Sequence, residues 1–94
     1  MLDWNDLRYF VAVAEHGSTL RAGKALNVSQ TTVARRLAAL EQAVGLALFD
    51  RRAAGYALTP DGQALLSHAR QVAAAAGQFG QAAAAQARDH SGMV

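Results

Sequence analysis

The sequence predicts a mainly α fold, a winged helix-turn-helix (three helices plus a short β-hairpin wing) followed by one long helix. Three observations carry this. Apolar stripes of helical period recur through the first 45 residues, broken by turns of two or three residues. Two short β-favouring segments, Leu48–Arg52 and Gly55–Thr59, surround a small loop. An almost unbroken helical pattern then runs from Pro60 to about Arg88.

The first helix is expected from about Asn5 to His16, where Leu7, Phe10, Val11 and Ala14 recur at i, i+3, i+4 and i+7. Asp3 suits its N-cap. Asp6 suits the positive end of the helix dipole, and Gly17 suits termination. Ser18 then caps a short helix, Thr19 to Leu26, with Leu20, Ala22 or Gly23, and Leu26 turned inward. Asn27-Val28 interrupts, and Ser29 caps a third helix to about Val44. There Val33, Leu37, Leu40 and Val44 share one face, and Gly45 stops the helix. Leu48–Arg52 and Gly55–Thr59 are expected to pair as a hairpin, although Ala53-Ala54 is a poor turn sequence. Thr59-Pro60-Asp61 opens the last helix with an N-cap, a first-position proline and a first-turn acid. Leu65, Ala69, Val72, Ala76, Phe79 and Ala83 alternate spacings of four and three along it, an a/d seam on a helix of roughly 40 Å. The expected cover for so long a stripe is the same helix of a second copy. The alternative is that the Ala-rich stretch 73–87 reflects helix propensity alone.

Composition removes several function classes. Ninety-four residues, 52% of them hydrophobic and 17% charged, hold one small domain with a thin core. The chain has no Cys, which excludes a disulfide scaffold, a thiolate metal site and a cysteine nucleophile. His16, His68 and His90 fall on separate elements with no metal-ligand spacing, and no glycine-rich phosphate loop follows a strand. An enzyme, a cofactor and a bound metal are therefore not expected. Apolar runs are far shorter than the ~18 residues needed to span a bilayer, and no basic-then-apolar leader opens the chain. A cytoplasmic, nucleoid-associated protein is expected, with no membrane partner.

Charge distribution is more telling than the net charge of +2. Residues 17–52 carry Arg21, Lys24, Arg35, Arg36, Arg51 and Arg52 against only Glu41 and Asp50. This middle third suits an anionic partner. At 100° per residue, Thr31, Arg35, Ala38 and Gln42 point away from the apolar face of the third helix, and Gln30 sits in its exposed first turn. These side chains suit base edges in double-stranded DNA: Arg35 guanine, Gln30 adenine, Thr31 either. Ser18, Thr19, Thr32, Arg36, Arg51 and Arg52 surround them as expected phosphate contacts. Two other classes stay open: a coiled-coil adaptor whose basic patch is merely solvated, and a membrane-surface helix. The second is disfavoured because the third and last helices lack a dense Lys/Arg face.

Longer motifs then become informative. Leu7-Arg8-Tyr9-Phe10-Val11-Ala12-Val13-Ala14-Glu15-His16-Gly17-Ser18 resembles the opening helix of LysR-type transcriptional regulators. Ala25-Leu26-Asn27-Val28-Ser29-Gln30-Thr31-Thr32-Val33-Ala34-Arg35-Arg36-Leu37 resembles their recognition segment. Leu40-Glu41, Gly45, Leu48-Phe49-Asp50-Arg51 and Leu58-Thr59-Pro60-Asp61-Gly62 continue the likeness in order, over about residues 4–70. The resemblance implies a DNA-binding domain at 1–59, a linker and dimerisation helix at 60–88, and the start of an absent effector-binding domain at 89–94. It also implies a homodimer through the linker helices that binds an interrupted palindrome, and a small-molecule effector taken only by the absent domain. Whether the full-length protein forms tetramers stays open. Thr19 stands where the family often has Phe, with Leu20 placed to fill the space. Thr31 stands where Pro or Ser is common, Ala34 where Ser is common, and Ala53-Ala54 where a wing tip often carries Arg.

Overall fold

Asp3 starts the first turn by a local device: its Oδ1 accepts a hydrogen bond from Asn5 N at 3.0 Å, opening a 3-10 turn, Trp4–Asp6. The computed structural model describes residues 2–91. From this turn the chain passes into α1, Leu7–His16, then α2, Thr19–Leu26, and α3, Gln30–Val44. Strands β1, Phe49–Arg52, and β2, Gly55–Leu58, follow, and α4 closes the chain over Pro60–Ser91.

Each boundary has a chemical cause. Gly17 and Gly45 end α1 and α3 in the left-handed conformation, and Asn27 does the same for α2 at φ 58°. Ser18 Oγ accepts from Arg21 N at 3.1 Å, and Ser29 Oγ accepts from Thr32 N at 3.1 Å, so both short helices start on a side-chain cap. Thr59 Oγ1 accepts from Gly62 N at 3.0 Å and donates to Ala47 O at 2.6 Å, starting α4 and tying it to the connection before β1.

The hairpin is antiparallel, with Phe49 opposite Leu58 and Arg52 opposite Gly55, and Ala53-Ala54 forms its tip. Near that tip it is anchored on the α1–α2 turn, where Tyr56 N donates to Gly17 O at 2.9 Å. Gly55 makes this approach possible, since a Cβ there would lie 2.5 Å from Gly17 O.

The core forms around α1, which packs against α2, α3, α4 and β2. Phe10, Val13, Val33, Leu37, Leu40, Leu48 and Phe49 fill its centre, and Phe10 meets Phe49 edge to face at 5.6 Å. Each such side chain contributes about 1.5–3 kcal/mol by leaving water. Glu41 serves the core differently. Its Oε2 accepts from Leu48 N at 2.7 Å and from Phe49 N at 3.3 Å, fixing the entry to β1.

Four expectations need correction or extension. Leu20 is not turned inward; it is 50% exposed, and Ala22 and Gly23 form the buried face of α2. Thr19 itself occupies the buried position, at 4% exposure. Asp6, in the first turn as expected, is more than a dipole partner: it is a buried carboxylate, 2% exposed, held by Arg36. The α4 stripe is not wholly without cover in its own chain, because Leu66 and Ala69 are buried and Leu65 half-buried against the α1 core. Beyond that point α4 projects as a rod of about 33 Å, and the described chain measures 57 × 24 × 21 Å. The helix continues through Ser91, so Asp89 and His90 are helical; Gly92, Met93 and Val94 lie outside the described residues.

Candidate nucleic-acid interface

The residues expected to read bases stand at the start of α3. Gln30, Thr31 and Arg35 are all exposed, while Val33, Leu37 and Leu40 on the opposite face are buried. That division follows from the 100° step. The apolar residues fix the helix rotation against the core, which directs positions 31 and 35 outward. Ala38 is exposed one turn further on and Ala34 is half-buried, so little bulk stands on this surface between the polar groups.

Two features prepare this surface for an anion. The N-terminal turns of α2 and α3 meet across the helix-turn-helix, each bearing a hydroxyl cap. The caps also leave protons to donate. Ser18 Oγ accepts from Arg21 N, so its own hydrogen is available. Ser29 Oγ donates to Thr32 Oγ1 at 2.9 Å, leaving the Thr32 hydrogen available. Among the described residues, no carboxylate lies within 4.0 Å of the charged groups of Arg21, Lys24 or Arg35. Those cations have no internal partner to lose on meeting a phosphate or a base.

Other expected contacts are engaged inside the fold. Arg36 turns away from Arg35 and grips Asp6 with two parallel hydrogen bonds, Nε to Oδ1 and a terminal nitrogen to Oδ2, both 2.7 Å. Asp3 Oδ2 stands 3.6 Å from the same guanidinium. The hydrogen bond and charge of Asp6 raise the Arg36 pKa above its ordinary value, against a smaller opposing effect of burial. Thr19 Oγ1, buried in the angle between α2 and α3, accepts from Gln30 Nε2 at 3.1 Å. Neither the Asp6–Arg36 pair nor the Thr19–Gln30 bond carries a local sequence signal, since the partners lie thirty and eleven residues apart.

The wing carries the remaining expected phosphate contacts. Arg51 lies over the Tyr56 ring, 5.7 Å from its centroid, on the face shared with Phe49. Arg52 points to the other face, near Asp50 at 3.9 Å, with both side chains exposed. Because β2 is fixed to Gly17, the residue before the α2 cap, the wing stands beside the N-terminus of α2. Ala53 and Ala54 place only methyl groups at its tip.

Of the expected dimer seam, Leu65 and Ala69 pack within their own chain, whereas Val72, Ala76, Phe79 and Ala83 stay exposed. Phe79 is 76% exposed and Val72 36%. Trp4, 64% exposed, overhangs an apolar groove beside α4 that Leu7, Leu65, His68 and Val72 also line.

Residues 4–63 match the family described as bacterial regulatory helix-turn-helix proteins, lysR family. The HTH-type transcriptional regulator TfdS of Cupriavidus pinatubonensis is 46% identical over 71 residues, which are 76% of this chain and 24% of that protein. The HTH-type transcriptional regulator TcbR of a Pseudomonas species is 40% identical over 93 residues, 99% of this chain and 32% of that protein. The chain thus spans a quarter to a third of the length of these relatives, which are regulators and not enzymes. Among solved structures, the crystal structure of the CbnR_DBD–DNA complex superposes with a TM-score of 0.79 at 40% identity, covering 92% of this chain and 99% of that one.

Proposed function

Because the chain belongs to the lysR family of bacterial regulatory helix-turn-helix proteins, we propose that it is the sequence-specific DNA-binding part of a transcriptional regulator and enters the major groove with the first turns of α3. The single observation that carries this reading is the set Gln30, Thr31 and Arg35. All three are exposed on one ridge, and Arg35 has no carboxylate partner among the described residues. Arg35 offers two donors to guanine O6 and N7, Gln30 an amide to adenine, and Thr31 a hydroxyl or methyl to either. Ser18, Thr32, Arg51 and Arg52 hold the backbone around this ridge. Arg36 and Thr19 act from within, Arg36 by fixing the 3-10 turn to α3 and Thr19 through Gln30.

A homodimer completes the reading. Val72, Ala76, Phe79 and Ala83 form an apolar seam with no cover in the described chain, and a second α4 laid antiparallel would cover it. Two recognition helices held this way read two half-sites about one duplex turn apart, roughly 34 Å or slightly more. The interrupted palindrome, any tetramer, effector recognition by another part of the protein and a cytoplasmic location belong to the same proposal. Among the described residues, no helix is long and apolar enough to cross a membrane.

Selection of bound duplexes from a random pool tests it. Recovery of a symmetric, two-part motif is expected, and Arg35→Ala is expected to cost about 1–3 kcal/mol at one base position per half-site while relaxing preference there. Recovery of unrelated sequences with no common motif would refute sequence-specific reading. Equal weakening by Arg35→Ala on selected and random duplexes would make Arg35 a phosphate contact.

A further inference from the structure

We infer that Thr19 is a positioning residue that makes Gln30 selective for adenine over guanine, an assignment that rests on Gln30 reading a base. The fold places the two side chains together by a close contact between helices. Thr19 and Gly23 lie one turn apart on the same face of α2, and both are buried. At Gly23 the turn leading into α3 comes so near that a Cβ would lie 2.8 Å from Val28 O and 3.3 Å from Gln30 N. Gln30 therefore starts α3 directly over Thr19, and its Nε2 donates to Thr19 Oγ1 at 3.1 Å.

The consequence lies in the hydrogens that remain. A glutamine amide has two N–H donors and one carbonyl acceptor. With one hydrogen spent on Thr19, the exposed side of the amide presents one donor and one acceptor. Adenine offers the complement in the major groove, an acceptor at N7 and a donor at the N6 amino group. Guanine offers acceptors at both N7 and O6, so one of them would face the Gln30 carbonyl oxygen. An untethered Gln30 could rotate its amide and give both hydrogens to guanine. The Thr19 tether removes that option, and it also reduces the freedom the side chain must lose on binding. The hydroxyl is essential to this role, since a side chain without an acceptor could fill the same buried space but could not orient the amide.

The test compares the parent chain with Thr19→Val, Thr19→Ser, Thr19→Ala and Gln30→Ala, using duplexes selected by the parent and matched duplexes with adenine changed to guanine at each position. The parent is expected to prefer adenine at one position per half-site, and Gln30→Ala to abolish that preference. Thr19→Val, of matching shape, is expected to reduce the adenine-to-guanine affinity ratio there about three- to tenfold, the worth of one hydrogen bond. It should leave the preference at the Arg35 position and the affinity for random duplex unchanged. Thr19→Ser, which keeps the acceptor, should retain the parent ratio. Should Thr19→Val fail to fold, Thr19→Ala supplies the same loss of acceptor, with thermal melts confirming a folded chain. An unchanged ratio in the Val and Ala variants, with Gln30→Ala still abolishing the preference, would reduce Thr19 to packing. A parent preference for guanine at this position would mean that Thr19 donates to the amide oxygen, and would overturn the assignment. No effect of Gln30→Ala at any position would remove base reading by Gln30, and the assignment with it.

Discussion

Gly62 and Gly77 lie on the same helix, yet replacing each with alanine should move stability in opposite directions. A Cβ at Gly62 would lie 2.1 Å from Leu48 O, 3.0 Å from Leu48 C and 3.1 Å from Leu58 Cδ2. Two of these three atoms are backbone, so a side-chain rotation cannot relieve the overlap. α4 would have to move by about 1 Å away from the segment entering β1 to restore an ordinary contact. That movement strains the Thr59–Ala47 hydrogen bond and opens the packing of Leu66 and Ala69 against α1. Overpacking of this kind costs about 1–3 kcal/mol, and a further hydrogen bond is at risk at about 1 kcal/mol. Against this, alanine gains at most about 1 kcal/mol of helix propensity. Gly62→Ala is thus expected to lose about 2 kcal/mol, a fall in Tm of roughly 8–16 °C for a domain of this size. At Gly77 a Cβ meets nothing within 4 Å in the described chain, so Gly77→Ala should gain up to about 1 kcal/mol. Circular dichroism melts and urea titrations at one fixed protein concentration measure both, the fixed concentration being needed for any dimer. A Gly62→Ala variant as stable as the parent would refute the close approach of α4 to Leu48. A destabilised Gly77→Ala would show that another backbone meets α4 at that point.

Four further outcomes are expected. Arg36→Met should destabilise the fold by leaving the buried Asp6 carboxylate without its partner, yet the salt dependence of DNA binding should not change; a reduced slope with intact stability would return Arg36 to the phosphate backbone. Since Asp6 raises the Arg36 pKa, the stabilising charge is present at every pH below the ordinary arginine value and is lost only above it, so no alkaline transition from this pair should appear at working pH. Arg52→Ala should weaken selected and random duplexes alike and lower the salt slope by about one; its loose contact with Asp50, 3.9 Å between exposed groups, is too weak to matter for folding. Phe79→Asp should give monomers in sedimentation and reduce binding to a two-part site toward the level of a single half-site; persistence of dimers at micromolar concentration would place the seam elsewhere.

The reach of the sequence followed the range of the interactions involved. Helix boundaries were legible at Ser18, Ser29, Gly45 and Thr59 because caps act within three or four residues. The α3 ridge was legible because one apolar face, Val33, Leu37 and Leu40, fixes where positions 31 and 35 point. The reading weakened wherever residues distant in the chain compete for one group. Arg36 has the same composition and setting as Arg35, and only the proximity of Asp6 separates their roles. Thr19 and Leu20 both could enter the core from the first turn of α2; the backbone rotation fixed by Ala22 and Gly23 admitted Thr19 and left Leu20 outside.

The amino-acid order by itself determined four helices, a hairpin, a basic middle and the polar ridge of α3, since each depends on periodicity, capping or composition over a few turns. Tertiary structure alone decided which cations and hydroxyls remain available to a partner, where the α4 stripe changes from core to open surface, and how the wing stands beside α2. These depend on close approaches, such as Gly55 to Gly17 O and Gly62 to Leu48 O, that exist only once separate elements have packed together.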